Sequence, residues 1–481
     1  MLRLPIVVLV LLCVCHVSGQ NARREALLYP EKLREDTEIL RALIHEAHPD
    51  PYRYVSKAQL DAAFDRVLDS LSIPVTVGRY VRMLMPVFHL LGDANCYPEL
   101  GVVVQERLRH SVPVIPLKVR LLADGLYVEE ELKGFRSLPP GARIVAINAV
   151  SMDTLLERME RLVVADGSNR TLRRHLVERD FPELLNRVMG DTSAFRLLLR
   201  FDEKQEERTI FAMTGDEIAR SRKPAGPSLM PWRAEWEPES NAFWVRLRTL
   251  DSDSLESAGQ NSGRFLTAML QEVEKDHART VVLDLRGTGG SDLALTEEVF
   301  AALAKERFRA VQRITARSAA PPQHYDLVMP KPEYYASIGK HYVTDPVGTM
   351  APPGDERLQL KEPMHGAFQG KVYVVCDGAT RDAGAMLVML AKRTGRARVV
   401  GEEVGSNALS ITGGGELLAT TPNAGIRVHV PLVRYFPEGS CDGALDRGEM
   451  PTYPLEQQAW GIAKGRDTVK ETLLRMLREL Q

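Results

Sequence analysis

Residues 281–290 read VVLDLRGTGG, and this stretch decides the fold. Val281, Val282 and Leu283 form an apolar run typical of a buried strand, and a charged pair and a glycine-rich turn follow them. Glycines in a turn between a strand and a helix let backbone N–H groups approach a ligand oxygen closely, as phosphate and oxyanion sites require. A tight structural turn without a ligand explains the same pattern.

Strands and helices alternate on either side of this stretch. The alternation is typical of βαβ units and predicts an α/β multi-domain protein with a layered core. A long interruption at 318–365 carries eight prolines and no clear period, so we expect either a lid or a segment without regular structure. The predicted strands are 243–247, 280–285, 311–315, 372–375 and 397–400, and the predicted helices are 261–275, 293–305 and 383–392.

The composition is that of a folded protein with balanced charge. The 481 residues are 44% hydrophobic and 26% charged, and the formal net charge is -2. At roughly 100–200 residues per domain, this length predicts two to four domains. Nucleic acid is not expected as a partner, because the chain has no excess of Lys and Arg and no basic stripe interleaved with aromatic residues.

Residues 1–19 have the pattern of a cleavable signal peptide, in which Arg3 precedes an apolar run and Ser18 and Gly19 provide small residues. We therefore expect a secreted or periplasmic protein without a membrane span. Cleavage would remove two of the five cysteines, and the three that stay allow at most one disulfide. These three are Cys96, Cys376 and Cys441.

Four regions follow the predicted signal peptide. Apolar residues at three-to-four spacing predict three amphipathic helices within a helical region at 20–108. Short alternating runs predict a small mixed domain at 110–215, and a stretch rich in Pro and charge predicts a linker at 216–241. The α/β core is expected at 242–470.

Two further segments have the pattern of a strand followed by a turn. Residues 374–386 read VVCDGATRDAGAM, and residues 399–407 read VVGEEVGSN. The first of them predicts a helix that begins after Asp382. Asp is among the best helix N-caps, worth about 1 kcal/mol over Ala, so a structural role is the simpler interpretation of this residue.

Together, these segments resemble the S41 family of serine peptidases, which includes the C-terminal processing proteases, the tricorn core proteases and the interphotoreceptor retinoid-binding proteins. Residues 284–290 resemble the family's DLRxNxGG turn, 376–386 its NGxTxSAxE nucleophile turn, and 401–402 its GExTxG loop. Residues 138–148 are similar to part of a PDZ-like domain, and 451–454 to the family's PDY segment. The resemblance implies a ClpP/crotonase-like core, a PDZ-like domain and an N-terminal helical region, with no cofactor and no metal.

The chain departs from the family pattern at the catalytic positions. Asp382 stands where the family has its serine nucleophile. Asn407 stands where the processing proteases have a general-base lysine, and Asn95 stands where the tricorn-like branch has a histidine. A carboxylate is a poor acyl acceptor and its charge opposes an oxyanion, and an Asn side chain takes no proton near neutral pH.

The resemblance also implies a set of cleft residues. Backbone that would stabilise an oxyanion is expected at Gly289, Gly290 and Ala383. Ligand contacts are expected at Asp284, Arg286, Glu402, Gly141 and Ile144.

Other side chains of the chain are candidates to replace the missing groups. Turn formation explains Thr380, burial explains Cys96, and helix packing explains His89 more simply than catalysis does. A carboxylate pair of Asp93 and Asp382 would suit glycoside chemistry if their separation fitted it. The spacing of His45 and His48 suits a metal, but no third ligand is apparent.

The sequence therefore favours an S41-type peptidase homologue that has lost catalysis. Its expected ligand is a polypeptide C-terminus or extended peptide, captured by strand addition, or an apolar small molecule in the retained cleft. The alternative is an active serine-type endopeptidase with a non-standard nucleophile and base. A Ser, Thr or Cys side chain within about 3.2 Å of a His or Lys nitrogen in the cleft would favour that alternative.

Overall fold

The computed structural model describes residues 26–133, 137–221, 230–329, 333–344, 350–441 and 443–480. The predicted signal peptide lies outside these ranges, and so do residues 222–229 of the predicted linker. Within the described ranges, no helix combines the length and the apolar character that a membrane span needs.

Three long helices dominate the N-terminal region, as the apolar spacing predicts. The second begins with a capping box of Ser56 and Gln59, and the third ends at Gly92, whose φ of 65° is typical of a C-terminal glycine. The elements are β1 (Leu27–Leu28), α1 (Pro30–Ala47), α2 (Lys57–Ser70), β2 (Val75–Thr76), α3 (Val77–Leu91), β3 (Tyr97–Glu99) and α4 (Val102–Ser111).

The next region is an antiparallel sheet with its own core. Its elements are β4 (Leu117–Leu122), β5 (Gly125–Glu131), β6 (Arg143–Ile147), β7 (Val150–Ser151), α5 (Met152–Glu160), α6 (Arg170–Arg179), α7 (Phe181–Met189), β8 (Ala194–Phe201), β9 (Lys204–Phe211) and α8 (Gly215–Ser221). The strand order is β4-β5-β6-β8-β9, with β7 beside β6. Leu126, Ile144, Phe181 and Phe195 are buried in this core. A separate core agrees with the small mixed domain expected here, and its PDZ-like character stays a prediction.

The C-terminal half contains the α/β core. Its first elements are β10 (Trp232–Glu237), β11 (Ala242–Leu247), α9 (Ser252–Ser257), α10 (Ser262–Lys275), β12 (Thr280–Asp284), α11 (Leu293–Ala301), β13 (Val311–Ala316), β14 (Val328–Met329), α12 (Glu333–His341), β15 (Val343–Thr344) and β16 (Met350–Ala351). They are followed by β17 (Lys371–Cys376), α13 (Ala383–Arg393), β18 (Ala397–Gly401), β19 (Ile411–Thr420), β20 (Arg427–Pro437), β21 (Tyr453–Pro454), α14 (Ala459–Lys464) and α15 (Thr468–Glu479).

The central sheet has the order β10-β11-β12-β17-β18-β21, and only the β10–β11 pair in it is antiparallel. Both faces of this sheet are covered. Val281 and Leu283 pack with the helices on one face, and Val282 packs with Leu473 of α15 on the other. Burial on both faces explains why β12 is continuously apolar. The predicted strands and helices of the core are confirmed. The observed boundaries differ from the predicted ones by at most one residue, except at the end of α11, where the difference is four residues.

Strand β10 corrects the predicted linker at 216–241. Residues 232–237 pair with β11 along its whole length, and Trp232 is fully buried. Pro231 and Pro238 flank this strand without interrupting it, because the chain lacks proline between them. The prolines therefore mark the ends of an edge strand, where proline is tolerated.

A second sheet of the core was missed in part by the sequence patterns. Its order is β14-β19-β20-β13-β16-β15, and β3 pairs with β20. The β19–β20 hairpin contains three consecutive glycines at 413–415, where its register shifts, and Pro431 lies inside β20. Glycine and proline normally argue against a strand, which is why the hairpin was not predicted. Parts of the 318–365 interruption are also regular, because α12 and three short strands lie there. Of the two expectations for this segment, the one of a stretch without regular structure is therefore wrong, and the one of a lid stays a prediction.

Candidate functional site

Asp382 stands at a sharp turn between β17 and α13. The parallel strands β12, β17 and β18 all end at this edge of the central sheet, so the turns that follow them meet there. Asp382 has a φ of 52° and a ψ of −120°, a conformation that costs a residue with a side chain roughly 1–3 kcal/mol. A strained residue between a strand and a helix is the geometry of a nucleophile elbow. Position 382 therefore has an elbow backbone that carries a carboxylate.

The carboxylate of Asp382 does not cap α13, so the predicted N-cap bond is wrong. An N-cap residue normally has an extended backbone, and the positive φ here directs the side chain away from the first helical amides. Asn95 Nδ2 instead donates to Oδ1 at 2.9 Å, and Arg381 Nε donates to Oδ2 at 2.8 Å. The backbone amide of Asp382 donates to Ser406 Oγ at 2.7 Å.

Asn95 is held in place by the loop that follows α3. Its backbone amide donates to Asp93 Oδ1 at 2.8 Å, and its Nδ2 donates to the carbonyl of Thr412 at 2.8 Å as well as to Asp382. Arg381 Nη2 donates to Asn95 Oδ1 at 3.1 Å. Asn95 therefore acts as a hydrogen-bond donor towards position 382, and its Nδ2 has no lone pair with which to accept a proton.

Arg381 is the cation of this cluster, and the sequence patterns did not identify it. The charge of Asp382 raises the pKa of Arg381 further above its usual value. Its side chain also lies over Gly289, because Cγ is 3.7 Å from the point where a Cβ on Gly289 would stand. Arg381 thus occupies space beside the glycine turn that was expected to bind an oxyanion.

The predicted oxyanion backbone makes contacts within the chain. The amide of Ala383 donates to the carbonyl of Gly290 at 3.0 Å, so it does not point at an open site as predicted. Gly290 has a φ of 126°, and a Cβ there would lie 2.1 Å from the carbonyl oxygen of Leu250. The backbone amide of Leu250 donates to the carbonyl oxygen of Gly289 at 2.8 Å. Close approach of the 250 loop therefore explains the glycine at position 290 without a ligand.

Asn407 is fully buried, and its side-chain hydrogen bonds go to groups other than the Asp382 carboxylate. Its Nδ2 donates to Tyr54 Oη at 2.9 Å and to the carbonyl of Leu445 at 2.8 Å. Its Oδ1 accepts hydrogen bonds from Arg53 and from the amide of Leu409. These bonds fix the loop after β18, which accounts for an Asn at this position.

Asp93 and Asp166 are two buried carboxylates next to Asn95, and the sequence patterns do not indicate that they meet. His48 Nε2 lies 3.0 Å from Asp93, and Thr412 Oγ1 donates to Asp93 at 2.8 Å. Burial alone would raise the pKa of Asp93, but the contact with His48 holds it below the usual value. Burial and the charge of Asp93 raise the pKa of Asp166 to about 7. Asn95 bridges the two carboxylates, because its backbone amide donates to Asp93 and its Nδ2 donates to Asp382. The glycoside hypothesis for Asp93 and Asp382 stays a prediction.

Asp284 and Arg286 are engaged in a closed ion network. Asp284 is 1% exposed in its side chain and lies 2.6 Å from Arg246 and 2.7 Å from Arg286. Burial raises the pKa of Asp284, but its bond to Arg286 lowers the pKa below the usual value. Arg286 also contacts Asp467, the N-cap of α15, at 2.6 Å. These ion pairs link α15 to the sheet. The charged groups of Asp284 and Arg286 are therefore occupied by partners within the protein.

The remaining predicted ligand contacts lie in different places. Burial and the charge of Asp377 raise the pKa of Glu402 to about 7, at the edge of the sheet where β18 ends. Gly141 packs against Ala463 of α14, where a Cβ would come within 2.7 Å of the alanine methyl. Ile144 is buried in the core of the second region. The structure does not bring these three residues to the Asp382 cluster.

The alternative catalytic side chains have other partners. Thr380 Oγ1 donates to the carbonyl of Leu285 at 2.8 Å, and burial raises the pKa of the Cys96 thiol. His89 Nδ1 lies 3.2 Å from the carbonyl of Val163. His45 contacts Tyr52 and Asp61 at 2.8 Å each. Among the described residues, no group of three or more His, Cys, Asp or Glu side chains is arranged to hold a metal.

Comparisons with known proteins agree with this architecture. Residues 245–441 match the model of peptidase family S41. A structure of mature CPAF is 13% identical to this chain and has a TM-score of 0.61. The match covers 94% of this chain and 97% of the CPAF chain. A complex of mature CPAF with lactacystin is 12% identical with a TM-score of 0.62, and the coverages are 94% and 98%. A CPAF mutant is 11% identical with a TM-score of 0.65, and the coverages are 94% and 97%.

At these identities, the solved structures show a shared α/β multi-domain fold. No curated protein matches the chain in sequence. The match to peptidase family S41 covers the segment 245–441, which holds the elbow and its neighbouring turns.

Proposed function

We propose that this protein is a peptidase homologue without hydrolytic activity, whose cleft binds polypeptide C-termini or extended peptides. One observation carries the proposal: the elbow residue is Asp382, and Asn95 and Arg381 both donate to its carboxylate. The match of residues 245–441 to a peptidase family supports a polypeptide as the ligand. An apolar small molecule in the same cleft is the other ligand class that the sequence resemblance implies.

The chemistry of the cluster argues against hydrolysis. Peptide attack needs a hydroxyl or thiol whose proton passes to a neighbouring base, and Asp382 offers neither the nucleophile nor the proton. Its negative charge also opposes the oxyanion that must form next to the elbow. Asn95, which stands in the position of a base, directs only its N–H groups at Asp382 and Thr412, and its Oδ1 is occupied by Arg381.

The hydroxyl groups closest to the elbow do not favour the endopeptidase alternative. Ser406 Oγ is buried and accepts the Asp382 amide, and Thr380 Oγ1 bonds to Leu285 and Asp377. Neither hydroxyl has a hydrogen bond to a His or Lys nitrogen. They satisfy backbone groups of the turn, as Ser and Thr commonly do.

A rebuilt catalytic pair tests the proposal. In the double variant Asp382→Ser/Asn95→His, a ring nitrogen would stand near the serine oxygen, because Asn95 Nδ2 is now 2.9 Å from Asp382 Oδ1. The carbonyl of Thr412 also lies 2.8 Å from Asn95 Nδ2, so an acceptor for a ring N–H is present at this position. We expect this variant to react covalently with a fluorophosphonate probe, measured by mass spectrometry, while the wild type does not.

The single variants are the controls. Asp382→Ser alone is expected to stay unlabelled, because it restores a hydroxyl without a base, and a general base contributes about 100-fold to 10,000-fold. Labelling of the wild type or of Asp382→Ser would show that a base is present after all. Failure of a folded double variant to react would show that these two positions do not explain the loss.

Ligand binding is tested separately with fluorescent peptides. A peptide with a free C-terminus is expected to bind, and the same peptide with an amidated C-terminus to bind at least about tenfold more weakly, because hydrogen bonds to a charged carboxylate are lost. Fluorescence anisotropy measures both. Equal binding would remove C-terminal recognition from the proposal, and binding of retinol without peptide binding would favour the apolar ligand.

A further inference from the structure

A second cavity lies at the opposite edge of the central sheet. It has a volume of about 930 Å³ and is bounded by the two residues before β12, by the first residues of β17 and β18 with the residues that precede them, and by the segment after α11. Asp382 follows the other end of these strands. A five-residue strand at 3.3 Å per residue separates the two edges by roughly 17 Å, so the cavity is distinct from the elbow.

The lining of this cavity is strongly cationic, although the whole chain has a formal charge of -2. One acidic residue, Glu306, is among the lining residues. The basic ones are Arg279, Lys305, Arg307, Lys371, Arg396 and Arg398. A balanced total charge therefore conceals a local excess of positive charge in a concave site, where such charges concentrate the field.

Two of these cations have partners within the protein. Arg396 donates to the carbonyls of Phe368 at 2.6 Å and Gly370 at 3.0 Å, and burial lowers its pKa. Arg307 forms an ion pair with Glu362. For the other four, Arg279, Lys305, Lys371 and Arg398, no carboxylate lies within ion-pair distance in the ranges that the structure covers.

The C-terminus of α13 does not account for Lys371 and Arg398. Cations stabilise the last turn of a helix, and in α13 that place is taken by Lys392 and Arg393, which pair with Glu449. Lys371 and Arg398 instead belong to β17 and β18. Their positive charges converge on the cavity from two adjacent strands.

We propose that this cavity is a binding site for a small polyvalent anion, which carries phosphate or carboxylate groups. Its volume falls in the range of roughly 300–1,000 Å³ that small-molecule sites have. Lys and Arg side chains donate charge-assisted hydrogen bonds to both kinds of oxygen, and a bound anion relieves the repulsion among the unpaired cations. The site is independent of the proposed function of the elbow cleft.

Isothermal titration of the full protein with tripolyphosphate and with citrate tests this proposal at 50 mM NaCl. We expect saturable binding of at least one probe, weakened at least about tenfold in Lys371→Gln/Arg398→Gln. A second double variant, Arg279→Gln/Lys305→Gln, changes different elements and is expected to have the same effect. The control Arg200→Gln/Lys204→Gln removes two exposed charges from β8 and β9 and is expected to bind like the wild type.

The two probes identify the anion, since binding of tripolyphosphate alone assigns a phosphate ligand and binding of citrate alone a carboxylate ligand. Raising the NaCl concentration to 500 mM is expected to weaken either interaction, because salt screens exposed charges. Absence of binding by both probes, or equal loss in the β8–β9 control, would overturn the proposal.

Discussion

The carboxylate of Asp382 is the counter-ion of Arg381, and both side chains are largely withdrawn from solvent, with exposures of 21% and 28%. The family motif predicted the meeting of positions 382 and 95, because both are catalytic positions of known relatives. It could not predict Arg381 as the partner, since that contact depends on the side-chain direction that the positive φ imposes. Nor could it predict the pair of His48 and Asp93, which joins two distant segments.

Backbone strain and charge pairing at position 382 can be separated by two substitutions. Asp382→Ala leaves Arg381 without its counter-ion, so we expect a loss of about 2 kcal/mol in the free energy of unfolding. Asp382→Gly removes the same charge but relieves the strain at φ 52°, and it is expected to be about 1 kcal/mol more stable than the alanine variant. Urea denaturation measures both values. A glycine variant no more stable than the alanine variant would show that the elbow is unstrained.

At the scale of elements, the sequence predicted the parts that repeat a simple pattern. The apolar run of β12 and the three-to-four spacing of α1, α2 and α3 reflect burial. A pattern of buried residues can be recognised in a single sequence. The pattern did not indicate strand β10, because prolines flank it, or the β19–β20 hairpin, because its glycines and Pro431 are individually unfavourable in strands. Strand β10 is stabilised by pairing with its neighbour β11, and the hairpin is stabilised by pairing with β13, far along the chain.

The turn after β12 gives a test of close packing. Gly290→Ala would place a methyl group against the Leu250 carbonyl, and we expect a loss of more than about 2 kcal/mol in stability. Gly287→Ala is the matched control, because Gly287 has a φ of 73° with open space around it. That variant should lose only about 1 kcal/mol, the cost of the left-handed conformation. Equal losses in urea denaturation would contradict the packing of the 250 loop on this turn.

At the scale of the whole molecule, one buried cluster joins the N-terminal helices, the second region and the α/β core. Asp166 accepts hydrogen bonds from the amides of Asn407 and Ala94, at 3.0 and 3.3 Å, and Asp93 and Arg53 are its charged neighbours. No pattern in the sequence indicated this cluster, because its members come from segments that are remote in the chain and polar residues inside a core have no periodicity.

Stability is therefore expected to depend on pH through Asp166. The pKa of Asp166 is about 7 in the folded protein and near 3.8 in the unfolded chain. At a pH between these two values, the folded state therefore holds a proton that the unfolded state has released. Stability then falls as the pH rises towards 7, by at most about 1.4 kcal/mol per pH unit, and levels off above 7. The contribution of Asp93, whose pKa is lowered, has the opposite sign and is lost only at more acidic pH.

The variant Asp166→Asn cannot ionise and is the reference for this effect. We expect the wild type to lose about 2 kcal/mol relative to this variant between pH 5 and pH 7, in urea denaturation series. Parallel pH profiles for the two proteins would show that Asp166 is ionised in the folded state.

Proteolysis of an unfolded protein by the wild type and by Asp382→Ala, followed by mass spectrometry of the products, is the most direct measurement. We predict no cleavage by either protein, because the elbow residue of the wild type is a carboxylate and not a hydroxyl or thiol. Cleavage by the wild type that disappears in Asp382→Ala would contradict this prediction and would make the carboxylate part of an active site.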